Sequence, residues 1–197
     1  MRSKIVLSFI LGLLVVSCAP AANPEVETQI INVYATPSTQ PWLADVFACA
    51  PTGAIINVAN APASADIFLH LGEPDYTPAF AYQIDVEEIL IVTHRQNPVQ
   101  NLTVDEVREL FSGGGDPSVA VWVYASGNDV QQAFEQAVMD GRSVTSQARM
   151  ATSPQHMSDT SNNEPNTIGI LPRRWKAGNS RFVYPIPDVP VLVLVEE

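Results

Sequence analysis

Cysteine is nearly absent: the chain of 197 residues holds two, Cys18 and Cys49. Two thiols cannot build a disulfide-dense scaffold or a four-thiolate metal site. Histidine is scarce as well, with His70, His94 and His156 scattered and no His, Cys, Asp or Glu group at metal-ligand spacing. No Gly-x-Ser-x-Gly elbow occurs, and the reading is of a protein without a cofactor, a metal or a catalytic role. Positive charge is also short, at 10 Lys and Arg against 21 Asp and Glu, for a net −11. Affinity for nucleic acid comes mainly from basic side chains that neutralise phosphates, so that partner class is excluded. Long apolar runs are missing after the first 20 residues, which excludes a polytopic membrane protein. A hydrophobic share of 46% in turn excludes a disordered chain.

The one apolar run has a specific form. Arg2 and Lys4 make a positive start, Ile5 to Val16 are apolar, and Ser17-Cys18 follow. About 12 apolar residues span only about 18 Å as a helix, too short for a hydrocarbon core of about 30 Å. Residues 1–18 therefore read as a signal peptide. The ending Val15-Val16-Ser17-Cys18 resembles the lipobox of bacterial lipoproteins, which implies lipidation of Cys18 and a monomer tethered to the extracytoplasmic face of the membrane. An ordinary secretory peptide cleaved near Ala19 to Ala22 is the alternative. Loss of Arg2 and Lys4 would take the charge from −11 to −13. Cys49, in Trp42 to Cys49, reads as a small buried hydrophobe.

Beyond a polar tether at residues 19–28, apolar strands alternate with helices. Ile30 to Tyr34, Ile55 to Val58 and Asp66 to Leu71 read as strands, with a helix opened by Pro41 between the first two. Parallel pairing follows from that order. Tyr82 to His94 holds a long strand. Thr103 and Glu106 form a capping box for a helix that Gly113 ends. Val119 to Tyr124 is a strand, Val130 to Met139 a helix with Asn128 and Gln131 as its cap pair, and Ser143 to Met157 a further helix. Ser158 to Asn166 reads as a polar connection, and Thr167 to Leu171 and Val189 to Val195 as closing strands.

The run Glu88 to Gly113, with Asn97-Pro98, Leu102-Thr103 and Phe111-Ser112-Gly113 after an apolar strand, resembles the crossover segment of the phosphate-type substrate-binding proteins of bacterial ABC importers. Weaker matches follow in order: Tyr34 to Thr39 is similar to the family's first ligand loop, Ala65-Asp66-Ile67 to its strand entry, Tyr124 to Gly127 to its Ser-Gly-Thr loop, and Ile168-Gly169-Ile170 to its Ile-Gly-Tyr strand. The resemblance implies an α/β, two-lobed, type II periplasmic-binding-protein fold in a small version, with two crossover strands. Residues 29–87 with 185–197 would form lobe 1, and residues 88–184 the crossover strand and lobe 2, with hinges near 88–94 and at Tyr184 to Pro187. Its implied partners are a small phosphate-like anion and ABC permease subunits.

The chemistry of such a cleft can be read from residue types. An oxyanion needs converging hydrogen-bond donors, which hydroxyls and free N–H groups at a helix start provide. Thr36, Ser38 and Thr39 precede one helix, and Ser126, Gly127 and Asn128 precede another. The same side chains also serve as plain helix caps. Asp66 matches the family position that accepts a proton from a protonated oxyanion, and it equally suits a turn at a strand start. The arginine that phosphate binders place before the second loop is missing, with Val121 to Ala125 in its place. Asp129 repels an anion unless its carboxylate turns away to cap the helix. Arg173, Arg174 and Lys176 read as a solvated basic face. A sensor or structural lipoprotein on the same scaffold, with a degenerate site, is the other reading.

Overall fold

The computed structural model describes residues 28–76 and 78–195, so the signal segment and Cys18 lie outside the described residues. Three short strands start the chain: β1 (Gln29–Ala35), β2 (Ala54–Val58) and β3 (Ile67–Leu71). All pair in parallel around β1, with Ile31 opposite Ile56 and Val33 opposite Ile67. A parallel pair needs a crossover, and here it is a helical turn at Gln40–Trp42 running into α1 (Leu43–Cys49). Pro41 sits in the first turn, where its missing N–H costs nothing.

The two longest strands connect the halves of the molecule. β4 (Phe80–His94) and β8 (Ser180–Val195) run antiparallel from Phe80 opposite Val195 to His94 opposite Ser180. One end of the pair lies beside β3. The other lies beside β7 (Thr167–Pro172), which is followed by β5 (Ala120–Val123) and β6 (Arg149–Met150). The resulting sheet has the order β2-β1-β3-β8-β4-β7-β5-β6. Midway along β4 and β8 the register shifts between Glu87 and Ile89, opposite Ile186 and Val189. Asp188 there has φ 56°, a left-handed conformation uncommon outside glycine. The expected hinge segment Tyr184 to Pro187 thus lies inside a continuous strand, next to the bulge.

The second half carries the remaining helices. In α2 (Val104–Ser112) the capping box is made: Thr103 N–H donates to Glu106 Oε2 at 2.7 Å, and Glu106 N–H to Thr103 Oγ1 at 3.3 Å. Gly113 ends it at φ 91°, where a side chain would be strained. The Asn97-Pro98 turn is structural. Asn97 is buried, its amide donates to Pro165 O, its Oδ1 accepts from Val99 N–H, and Arg181 donates to the carbonyls of Asn97 and Val99. Its polar groups are therefore consumed in closing the loop.

Two expectations need correction. Ser143 to Met157 is not a helix. Residues 143–153 are a loop with the short β6, and only the end of the segment is helical, in α4 (Pro154–Asn163), which also covers most of the segment expected to be a polar connection. Ser153 caps α4 by accepting from His156 N–H, and Pro154 occupies its first position. The helix hides behind serines and asparagines because these side chains bond back along it, Ser161 Oγ to Met157 O and Asn162 Nδ2 to Ser158 O. The other correction is Cys49, which is exposed: α1 turns Leu43 and Val46 toward the core as half-buried residues, and Cys49 lies at its exposed end.

α3 (Asp129–Phe134) continues as a π-helical turn over Glu135–Met139 and stops at Asp140 and Gly141, both at positive φ. Asn128 caps it by accepting from the N–H groups of Val130 and Gln131. The Gln131 side chain does not answer Asn128; it accepts from Tyr124 N–H and donates to Glu135.

Candidate functional site

The loop after β1 presents three buried hydroxyls, Thr36, Ser38 and Thr39. Turn bonds hold it, Thr39 N–H to Thr36 O and Trp42 N–H to Thr39 O. From behind, Trp175 Nε1–H donates to Ser38 O at 3.1 Å. Thr39 Oγ1 reaches Leu69 O at 3.1 Å and Thr36 Oγ1 at 2.9 Å. The hydroxyls of Thr36 and Ser38 face away from the loop, toward the other lobe.

What they meet is Asp129, the first residue of α3. Its Oδ2 accepts from Thr36 Oγ1–H at 2.6 Å, from Ser38 Oγ–H at 2.5 Å and from Leu71 N–H at 3.2 Å. Its Oδ1 accepts from Val130 N–H at 2.9 Å. Hydroxyl protons decide the roles here. Thr36 and Ser38 have one each, both go to the carboxylate, and the single Thr39 proton is shared between Leu69 O and Thr36 Oγ1. The carboxylate is buried, and none of its partners is Lys or Arg, so hydroxyl and amide dipoles alone offset its charge. The Tyr124 hydroxyl is also buried and without a hydrogen-bond partner. Burial, and then the nearby Asp129 charge, hold that phenol well above its ordinary pKa of 10.0.

The lobes meet closely around this point. Gln132 Nε2 donates to Asp75 Oδ2 at 2.7 Å, and a Cβ placed on Gly72 would come within 3.2 Å of Ala133 Cβ. Gly72 also has φ 80°, so glycine serves both the turn and the close approach.

The expected site residues therefore divide. Thr36, Ser38 and Thr39 are brought together in one cradle. Asn128 stands beside it and spends its side chain on the cap. Ser126 and Gly127 are exposed, and Ser126 borders a separate cleft of about 550 Å³ with Tyr124, Gln131, Glu135 and Arg142. Asp66 is not in the cradle. It accepts from Asn32 N–H and Asn32 Nδ2 at the entry of β3, while the cradle lies at the strand's exit, about four residues or roughly 13 Å away. A parallel strand separates its two ends by its length, so Asp66 acts there as a tie between β1 and β3. Asp129 and Leu71 N–H are the members that sequence reasoning missed. The available signal was an acidic residue where an anion site would place a cation.

The basic cluster is also resolved differently. Arg173 pairs with Glu88, and Arg174 donates to Asp85 at 2.8 Å while lying over the Trp42 ring, 4.3 Å from its centroid. Trp42 Nε1–H donates to the same Asp85 oxygen, and this bond first, then the Val86 N–H and the Arg174 charge, holds Asp85 below its ordinary pKa. Glu87 is buried beside the register shift, and its Oε2 has no hydrogen bond and faces Arg174 Nε in an ion pair at 3.8 Å. Burial pushes its pKa up, against the pull of Glu88 N–H and Arg174. These cations brace the crossover strands from the outside. Among the described residues no group of His, Cys, Asp and Glu could hold a metal ion, and no helix is long and apolar enough to cross a membrane.

Comparison with solved structures identifies the fold. A protein described as a phosphate ABC transporter substrate-binding protein with bound phosphate, from Clostridium perfringens, aligns at TM-score 0.68 and 16% identity over 86% of this chain and 87% of that one. The chain has a type II periplasmic-binding-protein-like fold. A phosphate transport receptor of Vibrio cholerae shares this binding fold at TM-score 0.58 and 14% identity, over 85% and 87% of the two chains. So does the reduced regulatory domain of OxyR2 from Vibrio vulnificus, at TM-score 0.61 and 11% identity over 87% and 88%. No family model and no curated protein matches the sequence. Transport proteins and regulatory domains thus share this scaffold.

Proposed function

We propose that the protein is an extracytoplasmic solute-binding lipoprotein that takes a small anion between its lobes and presents it to the permease of an ABC importer. One observation carries this reading: two hydroxyls and a backbone N–H from lobe 1 converge on a single anionic oxygen at the lobe junction. That is the donor arrangement an oxyanion requires, and its position between the lobes supports a cleft site. The solved relative with bound phosphate supports the ligand class, and the signal segment with Cys18 supports the membrane anchor and the location. Without Arg2 and Lys4 of the signal segment the net charge is −13, so the surface repels anions on approach and capture relies on these short-range donors.

The second reading is a sensor or structural lipoprotein that keeps the scaffold and does not transport. Asp129 favours it, because the oxygen in the cradle belongs to the protein itself. A thermal-shift panel with phosphate, sulfate, molybdate, tungstate and small carboxylates tests the first reading. A bound anion stabilises by RT ln(1 + [L]/Kd), about 2.7 kcal/mol at a hundredfold excess over Kd. If no anion raises Tm, anion capture fails and the second reading stands.

A further inference from the structure

The cradle and Asp129 come from opposite lobes, 91 and 93 positions apart in sequence for its Ser38 and Thr36 contacts. Helix capping does not account for the interaction. Capping uses Asp129 Oδ1 and Asn128 Oδ1 and is complete without Oδ2. Oδ2 instead accepts every proton that Thr36 and Ser38 have to give, and Leu71 N–H besides. Any oxygen of an external anion would need these same protons.

We propose that Asp129 is the cradle's resident anion, an inter-lobe latch whose carboxylate takes the place of a captured oxyanion and must leave before one can bind. This rests on reading the cradle as the anion site. A carboxylate tethered by the fold competes at a high effective concentration, and a ligand's apparent Kd rises by the inverse of the fraction of molecules with the cradle free. The cradle also selects by charge. With hydroxyl and amide donors and no Lys or Arg partner, it suits a single carboxylate-like oxygen better than a phosphate dianion, and its native occupant is a carboxylate.

The test uses the wild-type protein, Asp129→Ala, Asp129→Asn and the double variant Asp129→Ala with Ser38→Ala. Calorimetry and thermal shift are run with formate, acetate, phosphate and sulfate. Asp129→Ala should have a lower Tm that formate or acetate restores, and should bind them at least about tenfold more tightly than wild type does. The double variant should lose that gain, which assigns it to the cradle. Asp129→Asn keeps the side chain's volume without its charge. It should show a smaller gain in the same direction, and it carries the comparison if the alanine variant does not fold. Tight anion binding by wild type that neither variant improves overturns the latch and leaves anion capture standing. Binding by Asp129→Ala alone supports the latch and overturns capture by the native chain. Absence of binding in all four proteins overturns both.

Discussion

The two lobes solve the same packing problem unequally. Lobe 2 surrounds its strands with α2, α3 and α4 and fully buries Phe111, Phe134, Met157, Ile168 and Ile170. In lobe 1 the helix α1 buries none of its residues, and Ile30, Ile55, Phe80 and Tyr82 keep between 52% and 61% of their surface exposed. Lobe 1 does bury Val33, Trp42, Leu69 and Leu71, so the difference is one of degree: part of its sheet is covered and its outer strand and the start of β4 are not. Lobe 1 is tied to lobe 2 through β4 and β8, which run on between them, and through the Asp129 contact. Burial, which converts apolar area into stability at about 25 cal/mol per Å², is concentrated in lobe 2.

The sharpest way to break this comparison is to truncate one large side chain in each lobe. Phe134→Ala should cost about 3–5 kcal/mol in denaturant unfolding. Ile55→Ala should cost no more than about 0.5 kcal/mol, as surface changes do. Equal costs would mean that lobe 1 has cover which its exposure does not show. Next in size, Gly169→Ala in β7 puts a Cβ 2.3 Å from Met157 Sδ, and overpacking there should cost about 1–3 kcal/mol. Thr103→Ala, which removes the capping box of α2, should lower stability by about 1 kcal/mol; urea midpoints would register it.

The smallest expected effect lies at the junction between the lobes and depends on pH. Folding raises the Glu87 pKa above its ordinary 4.5, so the native state binds more protons than the unfolded one just above that value. Its contribution is full below about pH 4.5 and declines as pH rises through the folded pKa. Glu87→Gln should therefore raise Tm near neutral pH, with the difference fading toward pH 4. A constant difference across that range would assign the effect to packing.

Much of this was legible from residues alone. Continuous apolar runs marked β1, β3 and β4, and the capping box with Gly113 marked both ends of α2. The loop of Thr36, Ser38 and Thr39 stood out as a run of hydroxyls before a helix, a pattern that fits a donor cluster and plain helix capping equally. α4 was not legible, since its serines and asparagines bond along the helix and imitate a loop. Asp66 was misplaced because sequence adjacency to a strand does not say which end of the strand faces the cleft.

By itself the sequence determined the alternation of strands and helices, the acidic charge and the first donor loop, all set by local periodicity and composition. Only the tertiary structure decided that Asp129, rather than Ser126 or Asp66, meets that loop. Two segments more than 90 positions apart are joined there by the path of β4 and β8 between the lobes, and local pattern holds no record of that path. The same packing turned an acidic residue that ought to repel an anion into the group that occupies the anion's place.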